Sequence, residues 1–246
     1  MIKKRIAALL LAAIFITVQA FAQNAGTPAN TAADEQTADK TETATESAKK
    51  KLDFHWIFTM GPVLIVNTES YTKSAPSPIA FSCGLGMKLM PDNFYSYEPR
   101  ISFFTNYYLW DGENALPAEV ENRTATAISF LIDLPVVFNF KKSELHSFEA
   151  GAGLALLARY GILSNGVSSS DSGASGDAGG DVNEINSWFW SGMHYLFPEI
   201  TGAWNFKVNE KLKAGLETHI YFPLGSLTNG RGLDAMMVTV AARLMF

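Results

Sequence analysis

The sequence holds one cysteine, Cys83, in 246 residues. That scarcity excludes an internal disulfide framework and any cysteine-rich zinc site. Charge is scarce too. Only 17% of residues are Asp, Glu, Lys or Arg, and 24 acids against 19 bases leave a formal net charge of -5. The sign of that charge excludes a basic nucleic-acid binder. No apolar run reaches the roughly 20 residues that a membrane-spanning helix needs. With a mean hydropathy of only +0.07, a bundle of membrane helices is excluded as well. What the chain has in quantity is apolar side chains, 48% with 12% aromatic, too many for a chain disordered throughout. Its length suits one sizeable domain or two small ones.

The N-terminus sets the compartment. Lys3, Lys4 and Arg5 precede an apolar run from Ile6 to Val18, and Ala20-Phe21-Ala22 closes it with small residues. A basic start, a short apolar stretch and an A-x-A site define a secretory signal peptide, residues 1–22, cleaved after Ala22. The residue that follows is Gln23, with no cysteine for lipid attachment. Residues 23–50 contain no Val, Ile, Leu, Met or aromatic residue. Such a stretch buries no core, so 23–51 is expected to be a disordered periplasmic tether ahead of a domain at 52–246.

Beyond the tether the apolar period is two. Ile79, Phe81, Cys83, Leu85, Met87 and Leu89 form one face against Ala80, Ser82, Gly84, Gly86 and Lys88. The same split recurs over 128–140, 148–160 and 212–222. Alternation is a strand signal because successive side chains point to opposite faces. Soluble strands run about 5 or 6 residues, whereas crossing a bilayer at a tilt takes about 9 to 11. Eight long strands are expected, at 52–66, 78–90, 94–110, 124–140, 145–163, 188–206, 211–224 and 235–246. Their connectors alternate long (67–77, 111–123, 164–187, 225–234) and short (91–93, 141–144, 207–210). Short turns at one end and long loops at the other are the asymmetry of an outer-membrane barrel. Aromatic residues cluster toward strand ends, with Trp56, Tyr95, Phe148 and Trp204 near the short turns. Tyr107, Trp110, Tyr160, Trp188 and Trp190 lie near the long loops. Two such belts are what amphipathic rings form at membrane interfaces. The fold expected is all-β: an eight-stranded antiparallel up-and-down transmembrane β-barrel in the outer membrane.

The final strand carries a resemblance. Val238, Val240, Ala242, Leu244 and the terminal Phe246 form one apolar face. This is similar to the C-terminal signal read by the barrel-assembly machinery, with Leu244 where that pattern usually has an aromatic residue. The stretches 129–140 and 147–156, the second containing Glu149-Ala-Gly-Ala-Gly153, resemble the small bacterial outer-membrane barrels. The architecture of 52–246 resembles OmpA-, OmpX- and OmpW-like proteins. The OmpW-like resemblance implies, as an alternative, a narrow porin-like channel for small or hydrophobic solutes.

Register assigns the charges. Glu98, Asp133, Glu149, Glu199 and Glu217 fall on the inward face with Lys88, Arg100, Arg159, Lys213 and Arg243, five against five, and His219 joins them. Buried charges persist only when partnered, and eight strands enclose a bore about wide enough for side chains to fill. A largely plugged lumen is expected, with Gly84, Gly86, Gly151, Gly153 and Gly215 leaving local room. His219 and Glu217 share a strand without an evident nucleophile, so no catalytic residue is assigned and no enzyme is expected, a lipid-modifying barrel enzyme being the remote alternative. His55, His146 and His194 lack metal spacing, so neither metal nor cofactor is expected. Cys83 is expected to face lipid.

The long connectors hold Asp111, Glu113, Glu119, Glu121, Asp171, Asp177, Asp181, Glu184, Glu69 and Asp234 against Lys73, Arg123 and Arg231. That acidic field would draw divalent cations or a basic extracellular ligand, although the spacing matches no calcium loop. Loop 164–187 reads as flexible and solvated. The resulting expectation is a monomer that sits in outer-membrane lipid, binds no nucleic acid and presents acidic loops in a structural or surface-interacting role.

Overall fold

A computed structural model describes residues 54–66, 78–141 and 143–246. The signal peptide, the tether and the connector 67–77 lie outside the described residues. In chain order the strands are β1 (Phe54–Ile65), β2 (Ile79–Leu89), β3 (Tyr95–Tyr97), β4 (Arg100–Trp110), β5 (Ala115–Ala118), β6 (Ala125–Asp133) and β7 (Val136–Lys141). They continue with β8 (His146–Leu163), β9 (Ser172–Gly173), β10 (Gly176–Asp177), β11 (Leu196–Lys207), β12 (Lys213–Tyr221) and β13 (Met237–Met245). Two helices, α1 (Ala178–Trp190) and α2 (Leu224–Thr228), interrupt them.

The sheet closes on itself. β1 pairs with β2, β2 with β4, β4 with β6, β6 with β8, β8 with β11, β11 with β12, β12 with β13, and β13 returns to β1, every pair antiparallel. Two of the eight staves are broken near prolines, β3 from β4 at Glu98-Pro99 and β6 from β7 at Leu134-Pro135. Proline has no N–H to give a ladder. Its carbonyl still accepts, however, and Glu98 N donates to Pro135 O across the two breaks. Closure leaves no edge to satisfy in lipid. This is the eight-stranded antiparallel transmembrane barrel expected from the alternation.

Burial alternates along most of the strands, and its sense is that of a membrane protein. On β2, Ile79 and Phe81 are 73% and 64% exposed while Ala80, Ser82, Gly84, Gly86 and Lys88 are buried. Phe103, Phe130, Ile132, Leu216, Val240, Leu244 and Phe246 are likewise exposed on the outer face, and Cys83 is a free thiol there. The face Val238, Val240, Leu244 and Phe246 lies outward as the period required, with Val238 half-buried. Phe103→Arg places a cation on this girdle. It should cost about 2–4 kcal/mol of folding free energy in phospholipid bilayers if the position is near the midplane. Urea titration in vesicles checks this, and an unchanged midpoint would argue against a lipid-facing wall.

Two expectations about the loop end need correction. The sixth long strand was expected to start at 188, but 188–190 close a helix and β11 starts at Leu196. Trp188 and Trp190 therefore belong to α1 and not to a strand-end belt. The connector 164–187 is also ordered: β9 and β10 form a small hairpin that leads into α1. The physical reason lies in its apolar spacing. Ala178, Val182, Ile185 and Phe189 recur with helical period and are all buried. Asp177 caps the helix by accepting from Gly180 N at 2.7 Å.

A plugged barrel lumen as the candidate functional site

The interior is layered along its axis. Near the short turns sits an ionic layer built from inward positions of seven staves. Lys88 Nζ bonds Glu149 at 2.6 Å, Glu98 at 3.1 Å and the Asn139 side-chain oxygen at 2.6 Å. Arg243 reaches Glu98 at 3.0 Å, Glu149 at 3.1 Å and Glu217 at 3.4 Å. Arg100 donates through Nε to Asp133 at 2.9 Å and also binds Glu217 and His219. His219 Nδ1 lies 3.0 Å from Glu199. Glu217 thus joins the two halves of the network. All nine of these charged or imidazole side chains are buried.

The register explains the assembly. Arg100 pairs with Asp133 across β4–β6, and Thr59 and Gly215 stand beside Arg243 on the two neighbours of β13. The glycines do not open the lumen as expected. A methyl group at Gly84 would meet Ser102 Oγ, Thr59 Oγ1 and the Arg100 side chain. One at Gly215 would strike the Trp204 carbonyl 2.0 Å away. Gly84 therefore makes space that Arg100 fills, and Gly215 permits close strand approach. A void of about 10 Å3, room for about one water, is lined by Arg100, Glu217, Tyr221 and Thr239 among others.

The expected balance of five against five also changes. Arg159 and Lys213 stand apart from the layer, which holds five carboxylates against Lys88, Arg100, Arg243 and His219. Lys213 sits half-buried at the short-turn mouth. Arg159 lies at the other end of the bore. Its guanidinium donates to Tyr108 Oη at 2.9 Å and to the His194 carbonyl at 2.7 Å, and its carbon lies 4.2 Å from the Phe189 ring centre. An aromatic cage of this kind stabilises a cation without a carboxylate.

Above the ionic layer the lumen is mainly apolar, with Ser129 donating to Asn106 Oδ1 at 3.4 Å as a small polar inclusion. Val63, Ile65, Phe104, Leu131, Leu157, Phe197, Tyr221 and Met237 fill it as one buried cluster. Helix α1 closes the loop end over a second cluster, Tyr108, Ala115, Ala125, Ala127, Val182, Ile185 and Phe189. Asn186 fastens the helix to β8: its Oδ1 accepts from Gly161 N at 2.8 Å, and its Nδ2 donates to Gly161 O at 2.9 Å. Beside it, His194 stacks on Trp188 at 3.7 Å between ring centres, with Nδ1 3.0 Å from the Trp188 carbonyl. Burial holds the His194 imidazole below its usual pKa, helped by the Arg159 charge, although the Trp188 carbonyl favours the protonated form.

A base with a depressed folded pKa binds fewer protons folded than unfolded, so its contribution is present above the unfolded value of about 6.5 and is lost as pH falls. Amide exchange over 178–190 is therefore expected to accelerate between about pH 7.5 and pH 5 beyond its intrinsic rate in wild type. His194→Gln should flatten that dependence. An identical pH response in both proteins would remove His194 from the account.

The acidic loop residues divide. Asp111, Glu113, Glu119, Glu121, Asp171, Asp177 and Glu184 are exposed. Asp181 and Asp234 are buried, against the expectation that both would be solvated. Asp181 is structural, its carboxylate accepting from Ala174 N at 3.1 Å and Ser175 N at 2.7 Å. Asp111 and Asp171 also bind backbone amides. Among the described residues no group of three His, Cys, Asp or Glu is disposed to hold a metal ion.

Charge alone could not reveal the neutral members of the layer. Asn139 and Thr201 share its inward period, the available signal. Thr201 matters for chemistry: its Oγ1 lies 3.2 Å from His219 Nε2, opposite Glu199 on Nδ1, a hydroxyl–imidazole–carboxylate sequence. The same Nε2 lies 2.7 Å from Arg100 NH2.

A closed ring of eight antiparallel staves, apolar outside and ionic within, defines a transmembrane β-barrel. No protein family and no curated protein matches the sequence. Among solved structures, the chain is similar to Neisserial surface protein A, at 11% identity and a TM-score of 0.48, over 78% of this chain and 95% of that one. It is similar also to the N-terminal barrel of Pseudomonas aeruginosa OprF (10% identity, TM-score 0.38, 78% and 96% covered). The outer-membrane protein Ail of Yersinia pestis matches at 10% identity with a TM-score of 0.36, over 79% and 100%.

Proposed function

We propose that the protein is an integral outer-membrane barrel with a closed lumen and a structural or surface-interacting role, its long acidic loops facing outward. One observation carries this reading: ionic layer, apolar layer and helical cap occupy the bore in series. A water-filled path needs a continuous polar lining, and the middle layer interrupts it. The reading is of a protein without catalysis, in which His219 is buried and engaged by Glu199 and Arg100 within the ionic layer.

Planar-bilayer recording on the refolded protein tests the closed lumen. No stable unitary steps are expected from wild type. Steps that vanish on Glu217→Ala would replace this reading with a narrow channel. The surface role rests on Glu113, Glu119 and Glu121, three exposed acids of the connector 111–123. Such a field attracts a basic ligand and weakens with salt. Retention of the protein by a lysine-rich peptide should be lost when these three residues become Gln. Retention that survives would discard this role.

A further inference from the structure

We propose that the mouth at the short turns is a binding site for a short peptide with a free carboxylate and a free ammonium group. A cavity of about 530 Å3 opens there, floored by Lys88 and Glu149 of the ionic layer and walled by β11, β12 and the short turns. Ligand cavities commonly span about 300–1,000 Å3. Nothing in the plug requires a space of this size.

The floor and wall carry unspent polar groups. Asn205 on β11 lines the cavity, is 1% exposed, and neither its amide nitrogen nor its amide oxygen has a hydrogen-bond partner among the described residues. Buried polar side chains without partners are rare. A carboxamide offers one acceptor and one donor side by side, the complement of a peptide unit. Gly215 is the direct partner of Asn205 across β11–β12 and puts no side chain beside it.

Lys213 supplies the charge. Three lysines line the cavity, and two are neutralised, Lys88 by Glu149 and Lys207 by Glu210 at 3.0 Å. Lys213 has no carboxylate within ion-pair distance among the described residues. It pairs with Lys207 in the β11–β12 register, so it is the diagonal neighbour of Asn205 on the inward face. Such diagonals measure about 7–8 Å, the reach of roughly two extended residues. A terminal carboxylate on Lys213 therefore sets a peptide unit one or two residues back against Asn205. The remaining charges, Asp92 and Glu144, are exposed at the rim. A purely anionic ligand would meet both of them, whereas a peptide's ammonium is matched by them. A free oligopeptide and the peptide stem of a wall polymer share this chemistry.

Calorimetric titration of the full chain in detergent micelles tests the site. Trialanine, trialanine amide and a disaccharide-linked tripeptide serve as probes. Trialanine is expected to bind, and amidation of its carboxylate to weaken binding about tenfold or more. Lys213→Gln should erase that preference for the free acid. Asn205→Leu should weaken trialanine about tenfold while leaving the heat-modifiable gel mobility of a folded barrel intact. Lys213 is half-exposed at a strand end, so its variant decides the matter if Asn205→Leu fails to fold. Binding of the disaccharide probe as well as trialanine supports the site and assigns the wall stem, and binding of trialanine alone supports it and assigns free peptide. The absence of heat up to about 10 mM trialanine, or a Lys213→Gln variant that still prefers the acid, overturns the proposal. Conductance plays no part in this measurement, so a failure of the closed lumen and a failure of this site are read separately.

Discussion

Arg100→Met is expected to cost the folded barrel about 3–5 kcal/mol, more than any substitution on its outer wall, because it strips one buried cation from two buried carboxylates. Arg100 binds Asp133, Glu217 and His219 at once, and Asp133 has no other ion-pair partner among the described residues. Methionine fills most of the volume, so little of the loss comes from a cavity. Adding Asp133→Leu to Arg100→Met removes the orphaned charge and should recover much of the stability. Urea unfolding in phospholipid vesicles measures both. A single variant as stable as wild type would mean that the ionic layer contributes no net stability. A double variant no better than the single one would assign the loss to packing.

Phe189→Ala should release the cap without melting the barrel. Phe189 is buried, its ring stacks edge-on against Tyr108 at 4.8 Å between centroids, and the Arg159 guanidinium lies against its face. Truncating a buried phenylalanine costs about 3–5 kcal/mol, and the cap has few other anchors: Val182, Ile185 and the Asn186 clamp on Gly161. The loss is confined to α1 because the staves beneath it are held by their own ladders and by the ionic layer. Chymotrypsin should cut near Trp188 and Trp190 in the variant and spare wild type, with the urea midpoint of the barrel unchanged. A lowered midpoint with the helix still protected would show that cap and barrel unfold as one unit.

Much of the barrel was legible because its signal is local and repeated. Ile79, Phe81, Leu85 and the residues between them carry the period of two on their own, and chain direction then fixes which connectors share an end. The charge list was legible for the same reason: each member occupies an inward position. Pairing was not. Nothing in the spacing says that Arg159 would find aromatic rings instead of a carboxylate, since that depends on a helix folded over the opposite end of the bore. The helix itself was obscured by composition. Gly179, Gly180 and the serines before them read as a mobile loop, and the spacing of Val182, Ile185 and Phe189 is too short a pattern to outweigh them. Trp188 and Trp190, taken as a membrane belt, look the same in sequence whether they end a strand or a helix. Asn205 escaped notice because an uncharged amide gives no sign of lacking a partner until its neighbours are placed.

The junction held by Glu217 has a consequence for how such a chain can change over generations. Because one carboxylate answers to both Arg100 and Arg243, and those in turn to Asp133, Glu98 and Glu149, no member of the set can drift alone without stranding another. A substitution here calls for a second to match it, whereas Glu113, Glu119 and Glu121 make no ion pair among the described residues and can each be replaced without stranding a buried charge. The molecule thus separates a slow, concerted interior from an exposed connector whose chemistry can be rewritten residue by residue.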